Sequence, residues 1–248
     1  MTPLAVDALT HDFGGLRALD GVSLAAGAGE RLVVLGPNGA GKTTLFNLIT
    51  GLLRPSAGRI RLFDRDVTAL PTHRRARLGL GRTFQITTLF PRLTVRENVL
   101  LAVQGADPAR FTLLRPLAAY PHLGERAERL LDEWGLAARR DVPTRELSYG
   151  EQRQVELLLA LAGRPRVLLL DEPTAGLSPA ETAAVAAMIG RFPREVTLLL
   201  IEHDMDVALE LADRVVVLHQ GRVLAEGRTD RIREDARVAE IYLGLDDA

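Results

Sequence analysis

Short apolar runs alternate with Gly turns over residues 4–35, as in Gly27-Ala28-Gly29 before the strand at Arg31, and close up into the uninterrupted run Leu32-Val33-Val34-Leu35. Alternation predicts antiparallel strands with one wet face, and a continuous run predicts a strand buried on both faces. Val167-Leu168-Leu169-Leu170 and Val196 to Ile201 repeat the continuous pattern, and Arg59-Ile60-Arg61-Leu62 is a shorter strand after the turn Ser56-Ala57-Gly58. Val215 to Leu218 and Arg222 to Ala225 flank Gln220-Gly221 as a hairpin. Between these strands the period turns helical. Thr94 and Glu97 form a capping-box pair ahead of Val99-Leu100-Leu101-Val103, and Ala127, Leu130, Leu131 and Trp134 recur at helical spacing. Ser148 with Glu151 opens another helix, as does Ser178-Pro179-Ala180-Glu181, and a further helix covers Met205 to Ala212. Thr72 to Arg77 predicts a short helix with its arginine run in solvent. Gly81 to Gln85 reads as a loop, and residues 105–124, with Pro108, Pro116 and Pro121, read the same way. The expected layout is an all-helical insertion, residues 86–162, between strand-bearing halves.

Composition narrows the function classes. In 248 residues, 31 basic side chains face 32 acidic ones, a net charge of -1, so no overall field favours nucleic acid or an anionic membrane. Cysteine is absent, which removes disulfide scaffolds and thiolate metal sites. No apolar stretch approaches the roughly 18 residues of a membrane span, and Met1-Thr2-Pro3-Leu4-Ala5-Val6-Asp7 lacks the basic start and apolar run of a signal peptide.

Candidate chemistry starts at Gly36-Pro37-Asn38-Gly39-Ala40-Gly41-Lys42-Thr43, which follows the first buried strand and leads into the helical Thr44 to Thr50, closed by Gly51. This is G-x-x-x-x-G-K-[ST] in its strand–loop–helix context. Glycines let successive N–H groups curl around phosphates, and the helix adds unpaired donors and its positive dipole end. Lys42 would reach the β- and γ-phosphates, the Thr43 hydroxyl would ligate Mg²⁺, and Thr44 would add a phosphate hydrogen bond. Lys42 is the only lysine; every other basic residue is arginine. Where arginine serves for every other positive charge, a slim ammonium with rotating donors marks a special site. Asp171 and Glu172 end a buried strand, where open α/β sheets bind ligands, so metal binding by Asp171 and base work by Glu172 are natural roles. His203 ends the next strand, whereas His11, His73, His122 and His219 read as structural, in loops or on polar faces. Phe13 is either a base-stacking aromatic or an ordinary packing residue. Ser148 opens either a well-capped helix or a second anion site without its own lysine.

These residues resemble the ATP-binding subunit of ABC transporters over nearly the full length. Phe13 matches the adenine-stacking aromatic, Gly36 to Thr43 the Walker A loop, Gln85 the loop that senses Mg²⁺ and the membrane subunit, and Leu147 to Gln152 the signature. Val167 to Glu172 matches Walker B with its catalytic glutamate, Ala175-Gly176-Leu177-Ser178 the D-loop, and His203 the switch histidine. The signature reads LSYGE rather than the common LSGGQ, with Tyr149 in place of a glycine, and the D-loop carries Ser178 where aspartate is usual. Arg82-Thr83-Phe84-Gln85, Leu147 to Arg153, Ile201 to Met205 and the ending Ile241-Tyr242-Leu243-Gly244 are similar to importers of branched-chain or other hydrophobic amino acids. Such endings also occur in the lipopolysaccharide-export ATPase.

The resemblance implies an α/β P-loop NTPase: a RecA-like core with an antiparallel β subdomain (1–85 and 163–230), the helical subdomain (86–162) and a C-terminal helical tail (231–248). It implies a head-to-tail dimer, with itself or a related ATPase, holding two ATP between Walker A of one subunit and Ser148, Gly150 and Glu151 of the other. Glu172, His203, Gln85 and Lys42 would serve catalysis, and Thr43, Gln85 and Asp171 would place Mg²⁺. Implied partners are transmembrane permease subunits and, through them, an extracytoplasmic solute-binding protein, at the cytoplasmic face of the inner membrane, without nucleic acid. The helical insertion, especially Ile86 to Arg96, is the expected permease contact. A lipopolysaccharide-type exporter ATPase and a soluble ATP switch are the alternative functions.

Overall fold

A computed structural model describes residues 1–83, 89–107 and 120–243 of the chain. In chain order the elements are β1 (Leu4–Phe13), β2 (Leu16–Ala26), β3 (Arg31–Leu35), α1 (Lys42–Thr50), β4 (Ala57–Leu62), β5 (Arg65–Asp66), α2 (Thr72–Arg77), β6 (Leu80–Arg82), α3 (Val95–Ala106), α4 (Pro121–Glu133) and α5 (Tyr149–Ala162). There follow β7 (Val167–Asp171), α6 (Pro179–Gly190), β8 (Thr197–Ile201), α7 (Met205–Leu211), β9 (Arg214–His219), β10 (Arg222–Gly227), α8 (Thr229–Glu234) and α9 (Ala236–Leu243). They separate into two compact units: residues 1–82, 166–173 and 192 onward in one, and residues 83–165 and 174–191 in the other.

In the first unit, β1, β2, β4 and β5 form an antiparallel sheet in the order β2-β1-β4-β5. The second sheet runs β10-β9-β3-β8-β7-β6 and is parallel except for the β9–β10 hairpin. β3, β7 and β8 carry the continuous apolar runs, and all but one of their residues are buried. Covering both faces of a parallel sheet leaves no wet side on which polar residues could alternate. Register then decides where the strands stop: Val34 pairs with Ile201 and Ile201 with Asp171, so β8 and β7 end in one row, one residue short of the end of β3 at Leu35. The row places the phosphate-loop start, Glu202 and Glu172 at one edge. Leu45, Phe46, Leu48 and Ile49 of α1 join Leu32 and Val34 of β3 and Leu4 and Leu9 of β1 in one core cluster. Each such side chain contributes about 1.5–3 kcal/mol by leaving water.

The second unit is helical, with α3 against α4 and α5, and α5 against α6. Three capping boxes close with both reciprocal bonds: Thr94 with Glu97 at α3, Ser148 with Glu151 at α5, and Ser178 with Glu181 at α6. α4 buries Leu123, Ala127 and Leu131, one per turn. Among the described residues no helix is long and apolar enough to cross a membrane.

Four expectations are corrected. Residues 105–106 and 121–124, read as loop, are the end of α3 and the start of α4, where Pro121 occupies the first turn and needs no N–H donor. Gly81 and Arg82 lie in a strand, not a loop: β6 pairs in parallel with β7 (Leu80 with Val167, Arg82 with Leu169). Three residues carry no periodicity of their own, so this pairing was invisible in the local pattern. His11 lies within β1, buried and edge-on to Phe13 at 4.4 Å, rather than in a loop or on a polar face. Arg75 belongs to the arginine run expected in solvent, yet it is 1% exposed. Its guanidinium donates to the carbonyls of Leu48 (2.6 Å), Ile49 (2.7 Å), Leu70 (2.9 Å) and Thr68 (3.0 Å). It thereby satisfies the last carbonyls of α1, where a cation also meets the negative end of the helix dipole. Burial pulls the Arg75 pKa down, with Asp66 opposing it.

Replacing Arg75 with Ala should therefore cost about 3 kcal/mol of stability, because buried carbonyls lose charged donors. Urea denaturation reads this cost, and Arg75→Lys should recover less than half of it, since one ammonium cannot span four carbonyls.

Candidate functional site

The loop between β3 and α1 owes its shape to glycine. Gly41, the residue before α1, has φ +101°, and a Cβ there would lie 2.6 Å from Leu19 Cδ2 and 2.7 Å from the Ala18 carbonyl oxygen. Gly36 has φ +155°, and its Cβ would come within 2.3 Å of the Leu218 carbonyl oxygen. Both positions combine a left-handed backbone with close approach of another chain segment, which only glycine tolerates. α1 consequently starts without a side-chain cap, leaving its first N–H groups aimed into the loop.

Lys42 is 6% exposed, and its ammonium donates to the carbonyls of Gly36 (2.6 Å) and Pro37 (3.1 Å). Desolvation lowers its pKa, while Glu172 and Asp171 pull it back up. Thr43 is exposed and Thr44 half-buried beside it. Asn38, Gly39, Ala40, Gly41, Lys42 and Thr43 line a cleft of about 510 Å³ in the first unit. Glu172 lines the same cleft, reached from the end of β7. Its backbone has φ +46°, a conformation that costs a non-glycine residue about 1–2 kcal/mol. Asp171, just before it, is 1% exposed and its Oδ2 accepts from Arg82 at 2.7 Å.

The opposite wall comes from the β1–β2 hairpin. Gly14 and Gly15, both at positive φ, make a two-residue turn that sets Phe13 directly across from Leu16. Phe13 is 46% exposed and Leu16 70% exposed, and both line the cleft. Two solvent-facing apolar side chains at a strand end form a platform for a flat ring. Gln220 and Gly221, from the β9–β10 turn, complete this wall.

His203 is exposed immediately after β8 and Glu202, and Asp204 caps α7 by accepting from the N–H groups of Asp206 and Val207. Gln85 lies outside the described residues. In the second unit Ser148 is exposed and Gly150 buried at the start of α5. There Glu151 also accepts from Arg139 at 2.7 Å. The carboxylate of Glu181 reaches across from α6: Oε1 accepts from Gly150 N–H at 3.0 Å and Ser148 Oγ at 3.3 Å, while Oε2 accepts from Ser178. The hydroxyl of Ser178 is the main cause of the lowered Glu181 pKa. Tyr149 is 46% exposed.

The residues that sequence reasoning missed are Leu16, Arg17, Gln220 and Gly221 in the cleft, Arg82 on Asp171, and Glu181 on α5. The pair Gly14-Gly15 after Phe13 was a legible hairpin signal for Leu16. The others depend on pairings distant in sequence.

A cradle of backbone donors, a buried ammonium, a carboxylate pair and an apolar platform are the groups a nucleotide phosphate site requires. The ABC transporter family model matches residues 19–175. The high-affinity branched-chain amino acid transport ATP-binding protein BraF of Pseudomonas aeruginosa is 41% identical over 250 residues, covering 97% of each chain. The lipopolysaccharide export system ATP-binding protein LptB of Acidithiobacillus ferridurans is 41% identical over 224 residues, 90% of this chain and 89% of that one. Among solved structures, an ATP-binding cassette of an ABC transporter in its ADP conformation superposes with a TM-score of 0.84 at 30% identity, covering 98% of this chain and 99% of that one. The chain belongs to the ABC transporter family, as an ATP-binding subunit with the P-loop NTPase fold and ATPase activity.

The donors also suit magnesium, which prefers a hydroxyl and one or two carboxylate oxygens completed by substrate phosphates. No group of three or more metal-binding side chains is found among the described residues, so phosphates would have to complete the shell.

Gly41→Ala should raise the dissociation constant for ATP more than tenfold with the fold retained, since Ala18 and Leu19 deny the Cβ its space. Fluorescent-nucleotide titration beside circular dichroism checks both halves of this expectation.

Proposed function

We infer that this chain hydrolyses ATP to power import of branched-chain or other hydrophobic amino acids, working as one of a pair of ATP subunits under two permease subunits. The observation that carries the reading is the 41% identity to the branched-chain transport protein across 97% of both chains. The relative from lipopolysaccharide export is equally identical over a smaller share.

The residues support a specific division of labour. Phe13 and Leu16 would stack the adenine. The N–H groups of the Gly36–Thr44 loop would cradle the phosphates while the Lys42 ammonium turned from the Gly36 and Pro37 carbonyls toward the β- and γ-oxygens. Glu172, held in the cleft by its strained backbone, would take the proton of the attacking water, and His203 would stabilise charge on the γ-phosphate. Thr43, Asp171 and Gln85 would hold magnesium, whose chemistry there would be charge neutralisation of the phosphates. The cleft offers one side of the nucleotide only. Ser148, Gly150 and Glu151 of a second subunit would close over the other, with the helix dipole of α5 aimed at the γ-phosphate. In the single chain that anion position is held by Glu181.

The permease contact would fall on the segment leading into α3. Of its described residues, Leu89 is buried while Phe90 is 57% exposed. The Phe90 backbone is braced by Asn98, which accepts from its N–H at 2.8 Å and donates to its carbonyl at 3.2 Å. An exposed aromatic on a braced turn suits insertion into a partner's groove.

Glu172→Gln should abolish turnover and leave an ATP-dependent dimer detectable by light scattering; hydrolysis at the parental rate would reject Glu172 as the base. Affinity capture from gently solubilised native membranes should yield two permeases, a second ATPase and an amino-acid-binding protein. Export-bridge components instead would move the chain to lipopolysaccharide transport, and no membrane partner would leave a soluble ATP switch.

A further inference from the structure

We propose that Arg82 is a positioning residue and resident counter-cation for Asp171, which it holds in place and which it makes available to a divalent metal only when nucleotide phosphates are present. The proposal rests on the reading of Thr43 and Asp171 as magnesium ligands.

The geometry begins with sheet register. Arg82 pairs with Leu169 across β6 and β7, and Asp171 lies two residues further on, so both side chains stand on the same sheet face. Arg82 Nη2 donates to Asp171 Oδ2 at 2.7 Å, with side-chain exposures of 7% and 1%. The guanidinium is fixed from the other direction by α1. Its Nη1 donates to Asn47 Oδ1 at 2.7 Å, and its central carbon lies 5.7 Å from the Phe46 ring centroid. Arginine suits this place because a planar fork can serve a carboxylate and an amide at once.

A buried carboxylate facing no cation is costly, and Arg82 removes that cost in the nucleotide-free chain. The same positive charge disfavours a divalent ion arriving alone, and the ammonium of Lys42, which feels Asp171 and Glu172, adds to the repulsion. Phosphate oxygens reverse the balance. With their negative charges in the cleft, the metal gains partners while Asp171 keeps its anchored oxygen on Arg82. The arrangement makes metal and nucleotide bind together, so the free chain does not capture magnesium at Asp171.

Mn²⁺, a paramagnetic substitute for Mg²⁺, gives a test that does not read hydrolysis. By electron paramagnetic resonance on the purified full chain, the wild type should bind Mn²⁺ with ATP and at least tenfold more weakly without it. Arg82→Met should narrow that ratio several-fold by gaining affinity for Mn²⁺ alone, and Arg82→Lys should restore it. Asp171→Asn in the Arg82→Met background should abolish the gained binding. Tight Mn²⁺ binding by the nucleotide-free wild type would overturn the proposal without any variant, as would an unchanged ratio in Arg82→Met. Failure of the wild type to bind Mn²⁺ even with ATP would instead overturn the magnesium reading beneath it.

Discussion

The alignment of strand ends in the parallel sheet is the constraint on which the rest of this molecule depends. β3, β8 and β7 are paired so that Val34, Ile201 and Asp171 lie in one row. The groups proposed to act on the phosphates follow from that row: the glycine loop leaves β3, His203 follows β8, and Asp171 and Glu172 end β7. A slip of a single residue in β7 would turn Asp171 to the other face and remove it from Arg82 and α1. The apolar filling of these strands therefore does more than exclude water. By covering both faces it fixes register, and register fixes which side chains meet.

Legibility in the sequence followed the range of the interaction. Caps, glycine turns and apolar runs are local, and the three capping boxes, the Gly14-Gly15 hairpin and the buried strands were all written in consecutive residues. The phosphate loop was legible because its chemistry demands particular residues at fixed spacing. Arg75 was not, since nothing in Thr72 to Arg77 records that α1 ends beside it with carbonyls to satisfy. Strand β6 was too short to show a period, and its partner lies more than eighty residues away in sequence. Glu181 was legible as the third residue of a capping box, while its second use, bonding Gly150 and Ser148, comes from the packing of α5 against α6.

Arginine and lysine are partitioned by task. The buried guanidinium of Arg75 spreads over four carbonyls, and that of Arg82 joins a carboxylate to an amide, tasks for a rigid planar fork. The site that must face a phosphate keeps a flexible stem carrying a compact charge. That the Lys42 ammonium rests on carbonyls of its own loop keeps it satisfied while leaving it free to turn.

Because Lys42 is the only lysine, the chain has a single side-chain amine, carried by a residue that is buried at the start of α1. Reagents and modifying enzymes that recognise lysine find nothing on the outer surface to acylate. Any such group that did attach to a side-chain amine would land in the glycine loop between β3 and α1. Occupancy of the cleft and the reactivity of the chain's one side-chain amine are therefore coupled.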